Sequence, residues 1–226
     1  YGSTTDWEGR ANVWSLMNPH MVVLATSGAG KGYWLKVYLW RLLHQYPKHH
    51  VWIIQAEKDE YSTMAETMGE RGKVIRFTSL AEFEQRRPDR RVVGTNEVDD
   101  RLYLYREGLL PAGAQLTVYD LTRMDPTDRG KAVAILLETI ERSASRNGYP
   151  QLGHVVIDEL GIVLHDKTAA LAIETAWRRF RSIPQWDNPK KISRRGMIGL
   201  SQRASDLLAP AAGQTAKVIA DLSPTK

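Results

Sequence analysis

The apolar run Met21-Val22-Val23-Leu24 breaks into a turn of small residues, Ala25-Thr26-Ser27-Gly28-Ala29-Gly30, and then into Lys31 and the helix-forming stretch Tyr33–Leu43. No other feature restricts the possible folds as much. A strand that leaves through such a turn and re-enters a helix aims several backbone N–H groups at one point, with the positive end of the helix dipole behind them. That is a cradle for phosphate. Thr26, Ser27, Gly28, Ala29, Gly30, Lys31, Gly32 and Tyr33 are therefore assigned to nucleotide contact, with the Lys31 ammonium on the β and γ oxygens. Two positions depart from the usual pattern, which has glycine first and Ser or Thr after the lysine: Ala25 and Gly32. Gly32 has no hydroxyl to hold Mg²⁺. The expectation is nucleotide binding with weak magnesium affinity and slow turnover, a water or Asp158 filling the coordination place.

Around this loop, short β-branched runs recur and are followed by helical or polar segments: Val22–Ala25, Val51–Ile54, Val74–Phe77, Leu116–Asp120, Val155–Asp158 and Met197–Ser201. Continuous apolar strands are buried on both faces, which predicts an α/β fold with a mostly parallel sheet covered by helices. The first helix carries Trp34, Leu35, Tyr38, Leu39, Leu42 and Leu43 at helical spacing and is closed by Pro47. Further helices are predicted over Asp59–Met68, Arg129–Arg146 (with Ala132, Ile135, Leu136, Thr139 and Ile140 inward) and Ala169–Phe180. With 226 residues and 42% hydrophobic content, one core is expected. Residues 1–17 read as an extension or linker and 18–226 as a single domain, the whole a fragment of something longer. Between Ser79 and Gly113 the periodicity fails, and this stretch reads as a short insertion on the sheet edge.

The chain has 31 basic and 26 acidic residues, so its surface is mixed and its net charge of +5 permits a polyanionic partner without requiring one. Five arginines between Arg86 and Arg101 could meet DNA, although a charge run is usually a solvated face. The absence of cysteine excludes disulfides and thiolate metal sites. No apolar run reaches the length of a membrane span, and no signal-peptide pattern is present.

Two more segments carry chemistry. His154-Val155-Val156-Ile157-Asp158-Glu159 is an apolar strand ending in adjacent carboxylates. Beside a phosphate cradle, the first can hold Mg²⁺ and the second can polarise an attacking water, so Asp158 is assigned to metal and Glu159 to general base. Met197-Ile198-Gly199-Leu200-Ser201-Gln202 is a strand ending in an amide, and Gln202 would reach the γ-phosphate or the lytic water. Cradle, acidic pair and amide follow one another in the order found in RecA-like motors, with ligands at the carboxyl ends of adjacent strands.

These segments, with Asn18-Pro19-His20, Glu57-Lys58-Asp59-Glu60-Tyr61, Val156-Ile157-Asp158-Glu159-Leu160 and Leu200-Ser201-Gln202-Arg203-Ala204-Ser205-Asp206-Leu207-Leu208, make the chain resemble the VirB4-like ATPases of bacterial conjugation and type IV secretion. They belong to the FtsK and HerA superfamily of P-loop motors. The resemblance implies a RecA-like P-loop NTPase that uses ATP and Mg²⁺ and self-associates as a hexamer. It implies work beside secretion-channel or conjugation proteins, DNA being a possible cargo. It also implies a cytoplasmic location at the inner face of the cell membrane, reached only through partners. Such motors complete each site with an arginine from the neighbouring subunit. Arg178, Arg179 and Arg181, at the end of the Ala169–Phe180 helix, are preferred for that role over Arg194 and Arg195, which are read as lying in a loop before the glutamine strand. The alternatives are a DNA translocase of the FtsK and HerA kind and an assembly subunit that switches on ATP with little hydrolysis.

Overall fold

The computed structural model describes residues 20–86, 109–111, 113–144, 152–180, 183–184, 192–203 and 205. Within them, six strands form one parallel sheet: β1 (Met21–Leu24), β2 (His49–Gln55), β3 (Gly72–Arg76), β4 (Leu116–Asp120), β5 (Leu152–Asp158) and β7 (Ile192–Ser201). Their order is β1-β7-β5-β2-β4-β3, and the two-residue β6 (Ile183–Pro184) lies antiparallel on β7. The helices are α1 (Lys31–Gln45), α2 (Ser62–Thr67), α3 (Leu80–Arg86), α4 (Pro126–Ala144), α5 (Leu160–Leu164) and α6 (Lys167–Arg179).

Alternation along the strands divides the core in two, because successive side chains leave a strand on opposite faces. Val51 and Ile53 of β2, Val118 of β4, Val156 of β5 and Ile198 and Leu200 of β7 pack with Leu35, Leu39, Leu42 and Leu43 of α1. Trp52, Ile54, Tyr119, Val155, Ile157 and Met197 face the other way, against α4, α5 and α6. Each fully buried aliphatic side chain contributes about 1.5–3 kcal/mol, so the two layers clamp the sheet from both sides. The apolar stripe of α1 is core, as its spacing predicts: Leu35, Tyr38, Leu39, Leu42 and Leu43 are buried, and Trp34 stacks on Tyr38 with ring centroids 5.5 Å apart.

The elements differ from the sequence expectation in four places. The helix expected over 59–68 is shorter, Ser62–Thr67 followed by a 3₁₀ turn at Gly69–Arg71, because residues 55–62 form a turn held by the Gln55 side chain. The insertion between the edge strand β3 and β4 begins with a helix, α3, whose Phe83 packs on Phe77 at 4.5 Å; residues 87–108 are outside the described ones. Arg86 within it pairs with Glu82 at 3.2 Å. The short helix α5 follows the acidic pair directly. Finally, β7 begins at Ile192, so Arg194 and Arg195 are strand residues and not part of a loop.

Candidate nucleotide-binding site

Three strand ends converge because of the sheet order. β7 lies between β1 and β5, with Leu24 of β1 opposite Ser201 and Ile157 of β5 opposite Gly199. Gln202 therefore leaves β7 between the loop that follows β1 and the carboxylates that follow β5. Its Nε2 donates to Glu159 Oε1 at 2.9 Å, and Lys31 Nζ donates to the same oxygen at 3.1 Å. The side chains of both Lys31 and Glu159 are 11% exposed. A lysine, a carboxylate and an amide thus share one shielded point at the carboxyl edge of the sheet, where ligands bind in open α/β folds.

The loop has the backbone shape that the sequence predicts. Gly28 and Gly30 take φ of 78° and 85°, values natural to glycine and costly to other residues. Ala29 N donates to Thr26 O at 3.2 Å and Trp34 N to Gly30 O at 2.8 Å, so the chain turns tightly and enters α1 at Lys31. Residues 26–30 are exposed at the mouth of this turn. Tyr33, on the first turn, is also exposed.

Glu159 is the single described non-glycine residue with positive φ (53°, ψ 54°). A left-handed conformation costs an L-residue about 1–2 kcal/mol. Here it lets β5 pass into α5 without an intervening loop, and it turns the Glu159 side chain toward Lys31 and Gln202. The packing of α5 on β7 holds it there: Leu160 is fully buried, and a Cβ on Gly199 would collide with its side chain. A cleft of about 210 Å³ opens beside Glu159 and Gln202, with His165 and Arg203 on its wall.

Asp158 is buried. Burial first, then the charges of Glu60 and Glu159, pushes its carboxyl up to about 7. An end of the sheet that crowds carboxylates in this way is short of positive charge, and its oxygen donors suit a hard cation such as Mg²⁺. Among the described residues no three His, Cys, Asp or Glu side chains form a ready cage. Asp158 is the oxygen donor this end of the sheet would offer such an ion, the rest of its shell coming from phosphate oxygens and water.

Gln55 was missed by sequence reading. It is fully buried at the end of β2, where its Nε2 donates to Asp59 Oδ1 at 2.8 Å and its Oε1 accepts from Tyr61 N at 3.2 Å. Asp59 in turn accepts from Ser62 N, the first residue of α2, at 3.3 Å. This network sets Glu60 and Tyr61 over Gly32. A Cβ on Gly32 would collide with Glu60 Oε2 and would lie 3.6 Å from the Tyr61 hydroxyl.

The arginines are not at this point. Arg178 pairs with Glu174 at 3.0 Å and Arg179 with Glu141 at 2.9 Å, both exposed at the end of α6. That end lies at the amino edge of the sheet, since Phe180 O accepts from Arg195 N, and Arg195 is opposite Gly153 near the start of β5. Arg181 is outside the described residues. Arg195 is fully buried, donates to Ile140 O and stacks on Trp52 at 4.6 Å, so it is a structural residue and no finger. Trp177 is core, packed on His20 at 5.3 Å, and His20 Nδ1 accepts from Met197 N at 3.1 Å.

No family model and no curated protein matches the chain. Solved structures do. VirB4 of Thermoanaerobacter pseudethanolicus aligns over 97% of this chain and 81% of its own, with a TM-score of 0.59 at 16% identity. The genome packaging NTPase of Sulfolobus turreted icosahedral virus 2, in complex with ATP-γS, aligns over 93% of this chain and 88% of its own, with a TM-score of 0.42 at 13% identity. The VirB4 alignment carries the assignment: the likeness read in the motifs extends to the architecture, and the chain has the α/β, RecA-like P-loop fold that VirB4 has.

Proposed function

We propose that this chain is an ATP-binding and ATP-hydrolysing motor domain of a conjugation or type IV secretion apparatus. It acts as a self-associated ring, a hexamer, beside channel proteins and powers transfer of DNA or protein. The observation that carries the reading is the meeting of Lys31, Glu159 and Gln202 on one oxygen from three strand ends. Lys31 and the loop N–H groups hold the β and γ phosphates of ATP. Glu159 accepts a proton as a water oxygen bonds to the γ-phosphorus and the bond to the β–γ bridging oxygen breaks, and Gln202 orients that water. Asp158 would hold a magnesium ion, which would supply charge neutralisation on the phosphate oxygens. Arg178, Arg179 or Arg181 reaches a neighbouring copy's site. At the amino edge of the sheet, Arg178 and Arg179 are remote from the site of their own chain, as a residue acting in trans can be.

Gly32 favours a second reading, an assembly subunit that switches on ATP and hydrolyses it little. One pair of measurements separates them. Calorimetry should show ATP binding that Lys31→Ala abolishes, and phosphate release should accompany it in the unaltered chain. Unchanged affinity in Lys31→Ala refutes the cradle, whereas binding without release selects the switching subunit.

A further inference from the structure

The place beside Lys31 where P-loops carry a hydroxyl is glycine in this chain, yet the space a side chain would occupy there is taken. A Cβ on Gly32 would collide with Glu60 Oε2, so a carboxylate oxygen stands where a Ser or Thr side chain would begin. Among the described residues no cation pairs with Glu60. The carboxylate is brought there by a built turn: Gln55 fixes Asp59 and the Tyr61 backbone, and Asp59 fixes Ser62. Independently, the Tyr61 hydroxyl belongs to a fully buried residue, has no hydrogen-bond partner among the described residues, and points to the same spot, 3.6 Å from the would-be Cβ. A buried hydroxyl left without a partner is costly. A polar ligand at that spot relieves this cost.

Resting on the nucleotide-binding reading above, we propose that Glu60 replaces the missing hydroxyl as an oxygen ligand, direct or through water, for the divalent cation that accompanies the nucleotide, with the Tyr61 hydroxyl positioning that shell. Glycine at position 32 is then an accommodation and not a lesion: it makes room for a carboxylate from the next strand end. Donor chemistry supports the assignment. The Glu60 carboxylate and the Tyr61 hydroxyl meet at the one spot beside Lys31, and a hard dication favours such oxygen donors. Exchanging a neutral hydroxyl for a carboxylate also changes the behaviour expected of position 32. A serine there meets Glu60 and gains nothing unless Glu60 is shortened.

The probe is Mn²⁺, followed by electron paramagnetic resonance and calorimetry on the full chain saturated with ATP-γS. Three variants are compared: Glu60→Gln, Gly32→Ser, and Gly32→Ser with Glu60→Ala. Glu60→Gln should weaken Mn²⁺ binding about tenfold or more, the scale for losing a partner of the cation, while ATP-γS binding in EDTA does not weaken. Gly32→Ser alone should also weaken it, and the double variant should recover most of the loss. Mn²⁺ affinity unchanged in Glu60→Gln, with ATP-γS still bound, overturns the cation site and leaves the functional reading standing. Failure of the unaltered chain to bind ATP-γS at all overturns both.

Discussion

Glu159→Gln should make the protein bind ATP more tightly while slowing its cleavage. The Lys31 ammonium is committed to Glu159 Oε1 at 3.1 Å, and phosphate oxygens must compete for it. Fully exposed ion pairs are worth about 0–1 kcal/mol, and charge-assisted hydrogen bonds shielded from water about 1.5–3 kcal/mol. With both side chains 11% exposed, this pair falls near the junction of those ranges, at about 1.5 kcal/mol, which corresponds to roughly tenfold in affinity. Glutamine keeps the shape and an amide oxygen for Gln202 but gives up the charge, so the competitor weakens. It also removes a negative charge facing the triphosphate, an effect of the same sign. Cleavage should fall by about 10²-fold or more, the scale for losing a positioned general base. Calorimetry with ATP-γS measures the first effect, and single-turnover phosphate release measures the second. Losing a base alone leaves affinity where it was. Equal or weaker ATP-γS binding in Glu159→Gln would therefore refute the competition, even if hydrolysis stopped.

Two other outcomes are expected. Buried His49 shares a 2.8 Å hydrogen bond with His154; burial first, then the charges of His154 and His50, holds its imidazole down to about 2. The unfolded chain protonates near 6.5, so below that pH unfolding takes up a proton that the folded state refuses, and stability falls by about 1.4 kcal/mol per pH unit. His49→Gln removes this slope. In urea unfolding the difference between the two proteins should shrink by about 1 kcal/mol between pH of about 6.5 and 5.5, since the unfolded imidazole is only half protonated at the upper end; parallel profiles would show that His49 titrates freely. For the arginines, a contribution across a subunit boundary makes ATPase activity rise more steeply than linearly with protein concentration, a dependence lost in Arg178→Ala or Arg179→Ala. Strict proportionality in the unaltered chain, with both substitutions silent, rules out a role in trans for these two.

The segments that the fold brings together at the candidate site are carried by short local patterns legible in the sequence. A glycine-bearing turn, an acidic pair after an apolar strand and a strand-end amide each announce themselves within a few residues, and their order in the chain supplied the relation among them. What sequence reading could not reach was set by packing. Gln55 reads as the polar end of a strand, and only the folded turn shows it gripping residues 59–62. Gly32 reads as an open place beside Lys31, and only the fold shows Glu60 against it. The start of β7 was hidden because Ser193, Arg194 and Arg195 look like loop composition. Arg195 is tolerated in the interior because its guanidinium meets the Ile140 carbonyl and the Trp52 face, partners from distant elements. The left-handed Glu159 likewise has no residue-type signature, since the conformation is imposed by the junction of β5 with α5.

The position of β7 bears on how the chain reaches its native state. It follows all five other parallel strands in sequence, yet it sits between β1 and β5 and supplies the pairing for both. Among the described residues β1 has no neighbour to join during synthesis until β7 has been made, and the β5 edge that will receive it stays open. The contacts that close the sheet are of very long range, and loop closure at such separations makes folding slow. A partly made chain therefore exposes two unsatisfied strand edges at once, the condition in which edge-to-edge aggregation competes with folding. Substitutions that weaken β7 should accordingly lower the yield of soluble protein more than their effect on the stability of the finished domain suggests.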